Sequence, residues 1–134
     1  MRSNNNNNRS LAQFLAAPLV VALLLPWGAG AQTQTATVRG VVQDSSKAMV
    51  PGAALTLTNV AQNRIWQTRS NEAGAYVFLQ IPPGNYKLEV GAANFKRFVR
   101  EGLTLQVAQV AEINVQLEIG AVTEMVLVTA ASPL

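Results

Sequence analysis

The chain has 134 residues, ten of them lysine or arginine and seven aspartate or glutamate, with no histidine and no cysteine. Serine–histidine and cysteine–histidine nucleophiles are therefore excluded, as are imidazole or thiolate metal sites and disulfides. Setting aside Arg2 and Arg9, which lie in the leading segment, leaves eight basic against seven acidic residues. That balance, with no basic run, is no nucleic-acid footprint.

Residues 1–31 have the three-part layout of a secretory signal peptide. Arg2 and Arg9 flank a polar stretch with a low-complexity asparagine run, residues 11–25 are apolar, and Ala29-Gly30-Ala31 is an A-x-A cleavage pattern. The apolar stretch contains Pro18 and is shorter than the roughly 20 residues a spanning helix needs. Cleavage is expected between Ala31 and Gln32. The missing cysteine excludes a lipobox anchor, so no lipid is expected on the processed end.

Residues 32–36 are a polar lead-in, and residues 38–43 read as a first short β-branched strand. Asp44-Ser45-Ser46-Lys47 and Pro51-Gly52 are turn signals. Residues 54–60 alternate, with Leu55 and Leu57 on one face and Thr56 and Thr58 on the other, the pattern of a half-buried strand. A hairpin loop follows, in which Asn63 tolerates a left-handed backbone. The return strand, residues 64–70, has no clean apolar face and is expected at a sheet edge.

Asn71-Glu72-Ala73-Gly74 is a four-residue turn, with Asn bonding back to the chain and Gly relieving strain. In residues 75–81, Tyr76 and Phe78 lie on one face and Val77, Leu79 and Ile81 on the other, which predicts a central strand covered on each side over part of its length. Pro82-Pro83-Gly84 ends it, because proline cannot donate to a ladder. Residues 85–90 put Tyr86, Leu88 and Val90 inward and Lys87 and Glu89 outward. Tyr86 is placed like the tyrosine of a tyrosine corner, its hydroxyl bonding back to the backbone.

Phe95 is an aromatic plug closing a small-residue turn, and residues 96–100 read as strand entry. Gly102 is expected to open a strand with Leu103, Leu105 and Val107 inward. The clearest alternation starts at Val110, with Ile113, Val115, Leu117 and Ile119 inward. Residues 122–128 are a last strand, and residues 120–134 close the chain with a small-residue tail. The fold class is all-β, a seven- to eight-stranded Greek-key sandwich.

Little chemistry is on offer. The carboxylates outside the leading segment sit singly, so spacing supports neither an acid–base pair nor a calcium site at Glu72 or Glu101. Lys87 alternates outward and Lys47 and Lys96 lie in loops, so no lysine is placed for a core isopeptide crosslink. Tyr76, Phe78 and Tyr86 alternate as core residues. Trp66, among Arg64, Gln67 and Arg69, is the candidate for stacking on a glycan. Catalytic residues, cofactors and metals are expected to be none.

Read from Thr37, the ordered set G-x-V-x-D, P-G-A, G-x-Y-x-F and P-P-G-x-Y-x-L resembles the carboxypeptidase regulatory-like domain. That family is a transthyretin-like (prealbumin-like) β-sandwich related to the Cna protein B-type repeat, and the resemblance covers residues 37–118. It implies scaffold roles for Gly40, Pro51, Gly52, Gly74, Tyr76, Phe78, Pro83, Gly84, Tyr86 and Phe95. The implied layout is signal peptide 1–31, lead-in 32–36, domain 37–119, then a final strand and linker 120–134. That last segment resembles the one leading into the plug of TonB-dependent outer-membrane receptors. The chain stops at Leu134, before plug or barrel, so membrane association is expected only through a receptor barrel that it lacks. The implied function is a non-enzymatic exported module in the periplasm or at the outer membrane of a Gram-negative bacterium. An envelope protein or a glycan is the implied partner; the alternative function is a free-standing carbohydrate-binding module. Transthyretin-like hydrolases share the fold but need histidine, which excludes their activity here.

Overall fold

The structure, a computed structural model, describes residues 34–129. The chain divides into Met1–Gln32 and Thr33–Leu134. The expected signal segment, with its cleavage point at Ala31 and Gln32, lies outside the described residues. Among the described residues no helix is long and apolar enough to cross a membrane.

The described residues form strands β1 (Ala36–Asp44), β2 (Ala54–Asn59), β3 (Ile65–Arg69), β4 (Ala75–Ile81), β5 (Gly84–Gly91), β6 (Arg97–Leu105), β7 (Val110–Glu112), β8 (Val115–Leu117) and β9 (Met125–Thr129). One sheet has the order β4-β1-β7, with β8 also paired to β1; the other has the order β3-β2-β5-β6-β9. The all-β sandwich follows the alternation. Val38, Val42, Leu55, Leu57, Tyr86, Leu88, Val90, Val115 and Leu117 are all fully buried between the sheets. Each such aliphatic side chain contributes roughly 1.5–3 kcal/mol through burial.

Several turns form as their side chains dictate. Asn63 has φ 52° in the β2–β3 loop, and Gly74 has φ 72° in the turn before β4. Asn71 Oδ1 accepts the N–H groups of Ala73 and Ala75, each at 3.0 Å. Strand β3 lies at the edge of its sheet, in keeping with its mixed faces. Tyr86 donates its hydroxyl to the Pro82 carbonyl at 2.7 Å, the tyrosine-corner bond, where the chain passes from one sheet to the other.

Four expectations change. β4 is an edge strand, not a central one, and Val77 and Leu79 are exposed while Ile81 is buried. The cause is a bulge: Ala36 pairs with Ile81 but Val38 with Phe78, so three steps on β4 face two on β1. Gln80, at φ 56°, is the bent residue, and the extra step turns Ile81 onto the face of Tyr76 and Phe78.

Gly102 lies inside β6 rather than opening a strand. At φ 70° it sits in a second bulge, where Tyr86 pairs with Leu103 but Leu88 with Arg100. Val107, beyond the end of β6, is exposed.

The run starting at Val110 is broken into β7 and β8, which brings the strand number to nine among the described residues. Both pair with β1 in parallel. Ile119 lies past β8, where the chain leaves β1 for an isolated bridge to Phe95, and it is exposed. The last strand is shorter than residues 122–128 suggested, beginning only at Met125.

Candidate functional site

The outer face of the smaller sheet carries an open groove of about 570 Å³. Its floor follows from strand phase. Arg39 pairs with Val77 on one side and Glu112 on the other, and Val41 pairs with Ala75. Thr68 and Arg69, at the end of β3, and Asn114 complete the wall. The groove is therefore a strip of small apolar side chains flanked by two arginines and one carboxylate.

Arg39 and Glu112 approach to 3.9 Å, with both side chains more than half exposed, so the pair is loosely held and screened by water. Arg69 donates to the Gly52 carbonyl at 3.3 Å, which ties it to the turn before β2. Tyr76 lines the groove from beneath and donates its hydroxyl to the Ile113 carbonyl at 2.6 Å. Burial holds that phenol well above its ordinary range, only partly offset by the charge of Arg100, so it stays protonated and acts as a donor. Asn114 Oδ1 accepts the Val41 N–H at 3.2 Å.

These groups can hold an acidic or amphipathic surface, but they assemble no nucleophile with a base beside it. Among the described residues no three acidic side chains gather as metal ligands. Lys87 is on the outer face of its sheet, 3.3 Å from Glu89, and Lys47 is exposed in its turn.

Trp66 is half-buried and packed against the core. Its ring meets Tyr86 edge-on, with centroids 5.7 Å apart, and the Arg64 guanidinium lies 4.9 Å from the ring centroid. It is thus apart from the groove, at the β3 edge.

The scaffold residues singled out from the sequence fall in three places. Tyr76, Phe78 and Tyr86 are core, with Phe95 packed partly buried against it. Pro51, Gly52, Gly74, Pro83 and Gly84 are in or beside turns. Gly40 is in β1, where a side chain would overlap the Ile113 carbonyl oxygen. Nothing in the sequence groups Arg39, Arg69, Glu112 and Asn114. The outward phase of Arg39 in β1 is legible there; the strand pairing that joins it to Glu112 is not.

The model of the carboxypeptidase regulatory-like domain matches residues 37–118. The TonB-dependent transporter Oar of Myxococcus xanthus is 32% identical over 117 residues, which is 86% of this chain and 11% of that protein. Among solved structures, the Bacillus anthracis TIE protein aligns with a TM-score of 0.55 at 16% identity, over 64% of this chain and 17% of that one. The hydroxyquinol 1,2-dioxygenase of Pseudomonas putida aligns with a TM-score of 0.54 at 13% identity, over 65% of this chain and 57% of that one. At such identities the two structures share the fold alone, and a fold hosts many chemistries.

Proposed function

Because this chain belongs to the carboxypeptidase regulatory-like domain family, we propose that it is a non-enzymatic exported module of a TonB-dependent outer-membrane receptor system, acting through contacts with an envelope protein. The observation that carries the reading is the 32% identity to a TonB-dependent transporter across 86% of the chain. The groove between Arg39, Arg69 and Val77 supports it, since mixed charged and apolar side chains on an exposed sheet suit a polypeptide partner.

Expression of the whole chain in a Gram-negative host, followed by fractionation and N-terminal sequencing, tests export. The expected product lies in the envelope fraction and begins at Gln32; an unprocessed cytoplasmic chain overturns that part. A photo-crosslinking residue at Val77, in the groove, tests the contact. Adducts with an envelope protein are expected, and their absence overturns it. Binding of an envelope polysaccharide that Trp66→Ala abolishes would instead select the carbohydrate-binding reading.

A further inference from the structure

Among the described residues the two sheets have four edges, and three of them are guarded. β3 is flanked by Arg64 and contains Gln67 and Arg69. β4 is bulged at Gln80. The edge opposite β4 is broken between β7 and β8, with Asn114 at the break. Charges, bulges and interruptions of this kind prevent a sheet from pairing with another chain.

β9 has none of these devices. Its sequence is Met125-Val126-Leu127-Val128-Thr129, with no charge, proline or glycine. Met125, Leu127 and Val128 are exposed, Met125 and Leu127 by more than half. An uncharged, apolar edge strand of this kind is a template for pairing with another chain.

Among the described residues only β6 pairs with β9, and the other edge of β9 has a defined hydrogen-bonding phase. The Arg97 N–H donates to the Glu124 carbonyl at 2.8 Å, and Arg97 pairs with Met125 in a parallel ladder. In such a ladder the backbone groups of Val126 and Val128 face β6, and those of Met125, Leu127 and Thr129 face outward. We propose that β9 is a self-pairing edge, which joins two copies of this chain antiparallel about a two-fold axis at Leu127.

That axis sets Leu127 opposite its own copy and Met125 opposite Thr129, which are the residues whose donors and acceptors are free. Val126 then faces Val128 on the other side of the sheet. No like charges meet, because Glu124 falls outside the paired run and is held 3.5 Å from Lys96 of its own chain. Leu127 meets Leu127 beside Val99, which already lies buried on that outer face. A five-residue strand makes a small interface, below about 1,200 Å² in total, so the dimer depends on concentration.

Sedimentation equilibrium of the processed full chain should show a weight-average mass that rises toward twice the monomer. Leu127→Lys places two like charges face to face and should raise the half-association concentration at least tenfold. Gln67→Lys, on the β3 edge, should leave it unchanged. Because the chain has no cysteine, Leu127→Cys should give a single disulfide-linked dimer on mild oxidation, and Gln67→Cys should not. A mass that stays monomeric at about millimolar concentration overturns the proposal. So does association that Leu127→Lys leaves intact, or crosslinking as ready through position 67 as through 127.

Discussion

The Tyr76 hydroxyl bonds to the Ile113 carbonyl at 2.6 Å, passing directly over Gly40. Ile113 donates its own N–H to Arg39, so the next rung of the parallel ladder would take the Val41 N–H to the Ile113 carbonyl. Asn114 Oδ1 accepts that N–H instead, and the carbonyl turns to Tyr76. One missing rung thus explains the break between β7 and β8, the glycine at position 40 and the buried phenol.

Tyr76→Phe should therefore destabilise the fold by about 1–3 kcal/mol, the cost of an unpaired buried carbonyl. Gly40→Ala should cost more, because the added methyl group meets backbone that no rotamer change can move. Urea unfolding of both variants measures the order. A Gly40→Ala protein as stable as the parent would refute the close approach.

Ser70 is a second polar anchor, buried at the end of β3. Its Oγ accepts the Ala53 N–H and donates to the Val50 carbonyl, both at 2.8 Å. Ser70→Ala leaves both groups without a partner and should cost about 1–3 kcal/mol for each group that water does not reach. Ser70→Thr keeps the hydroxyl and should recover part of the loss. Thermal unfolding of the pair separates the hydrogen bonds from side-chain volume.

What could be read from the sequence was what nearby residues determine. Leu55 and Leu57 face inward because alternation within β2 requires it, and Asn71 and Gly74 make their turn with contacts no more than four residues apart. Alternation puts Val77, Leu79 and Ile81 on one face because it carries no sign of a bulge at a glutamine. The positive φ of Gln80 is imposed by pairing with β1. Gly102 was a visible irregularity, but its meaning depended on β5 across the ladder. The groove was hidden for the same reason: Val41 and Asn114 bond across 73 positions of sequence. Trp66 stands out in the sequence for its charged neighbours, whereas its place against Tyr86 follows from the pairing of β2 with β3 and β5.

Asp44 gives the fold a dependence on acid. Its carboxylate accepts the Ser46 hydroxyl at 2.6 Å and the N–H groups of Ser46 and Ala48 at 2.8 and 3.0 Å. The Ser46 hydroxyl bond, then the Ala48 N–H, hold its pKa below the ordinary carboxylate value of 3.8. A group depressed in the folded state stabilises it above the unfolded pKa, and this contribution is lost as pH falls through the folded value. The stability gap between the parent and Asp44→Ala should be constant near neutrality and narrow below about pH 4. With Asp44→Asn, which cannot titrate, the gap to Asp44→Ala should stay flat over that range. Unfolding curves at a series of pH values distinguish the two.

Tyr86 offers a comparison with Tyr76, because the two phenols make similar bonds in different surroundings. The Tyr86 ring is fully buried, but its acceptor, the Pro82 carbonyl, belongs to a partly exposed residue that water can reach. Removing the hydroxyl exchanges a protein bond for a water bond there, whereas at Ile113 nothing replaces it. Tyr86→Phe should cost about 0.5–1.5 kcal/mol, the range for a net hydrogen bond, and less than Tyr76→Phe. Tyr86→Leu should cost more than Tyr86→Phe, since it also removes the edge-on contact with Trp66. Equal losses from the two phenylalanine variants would mean that the Pro82 carbonyl is as isolated from water as Ile113.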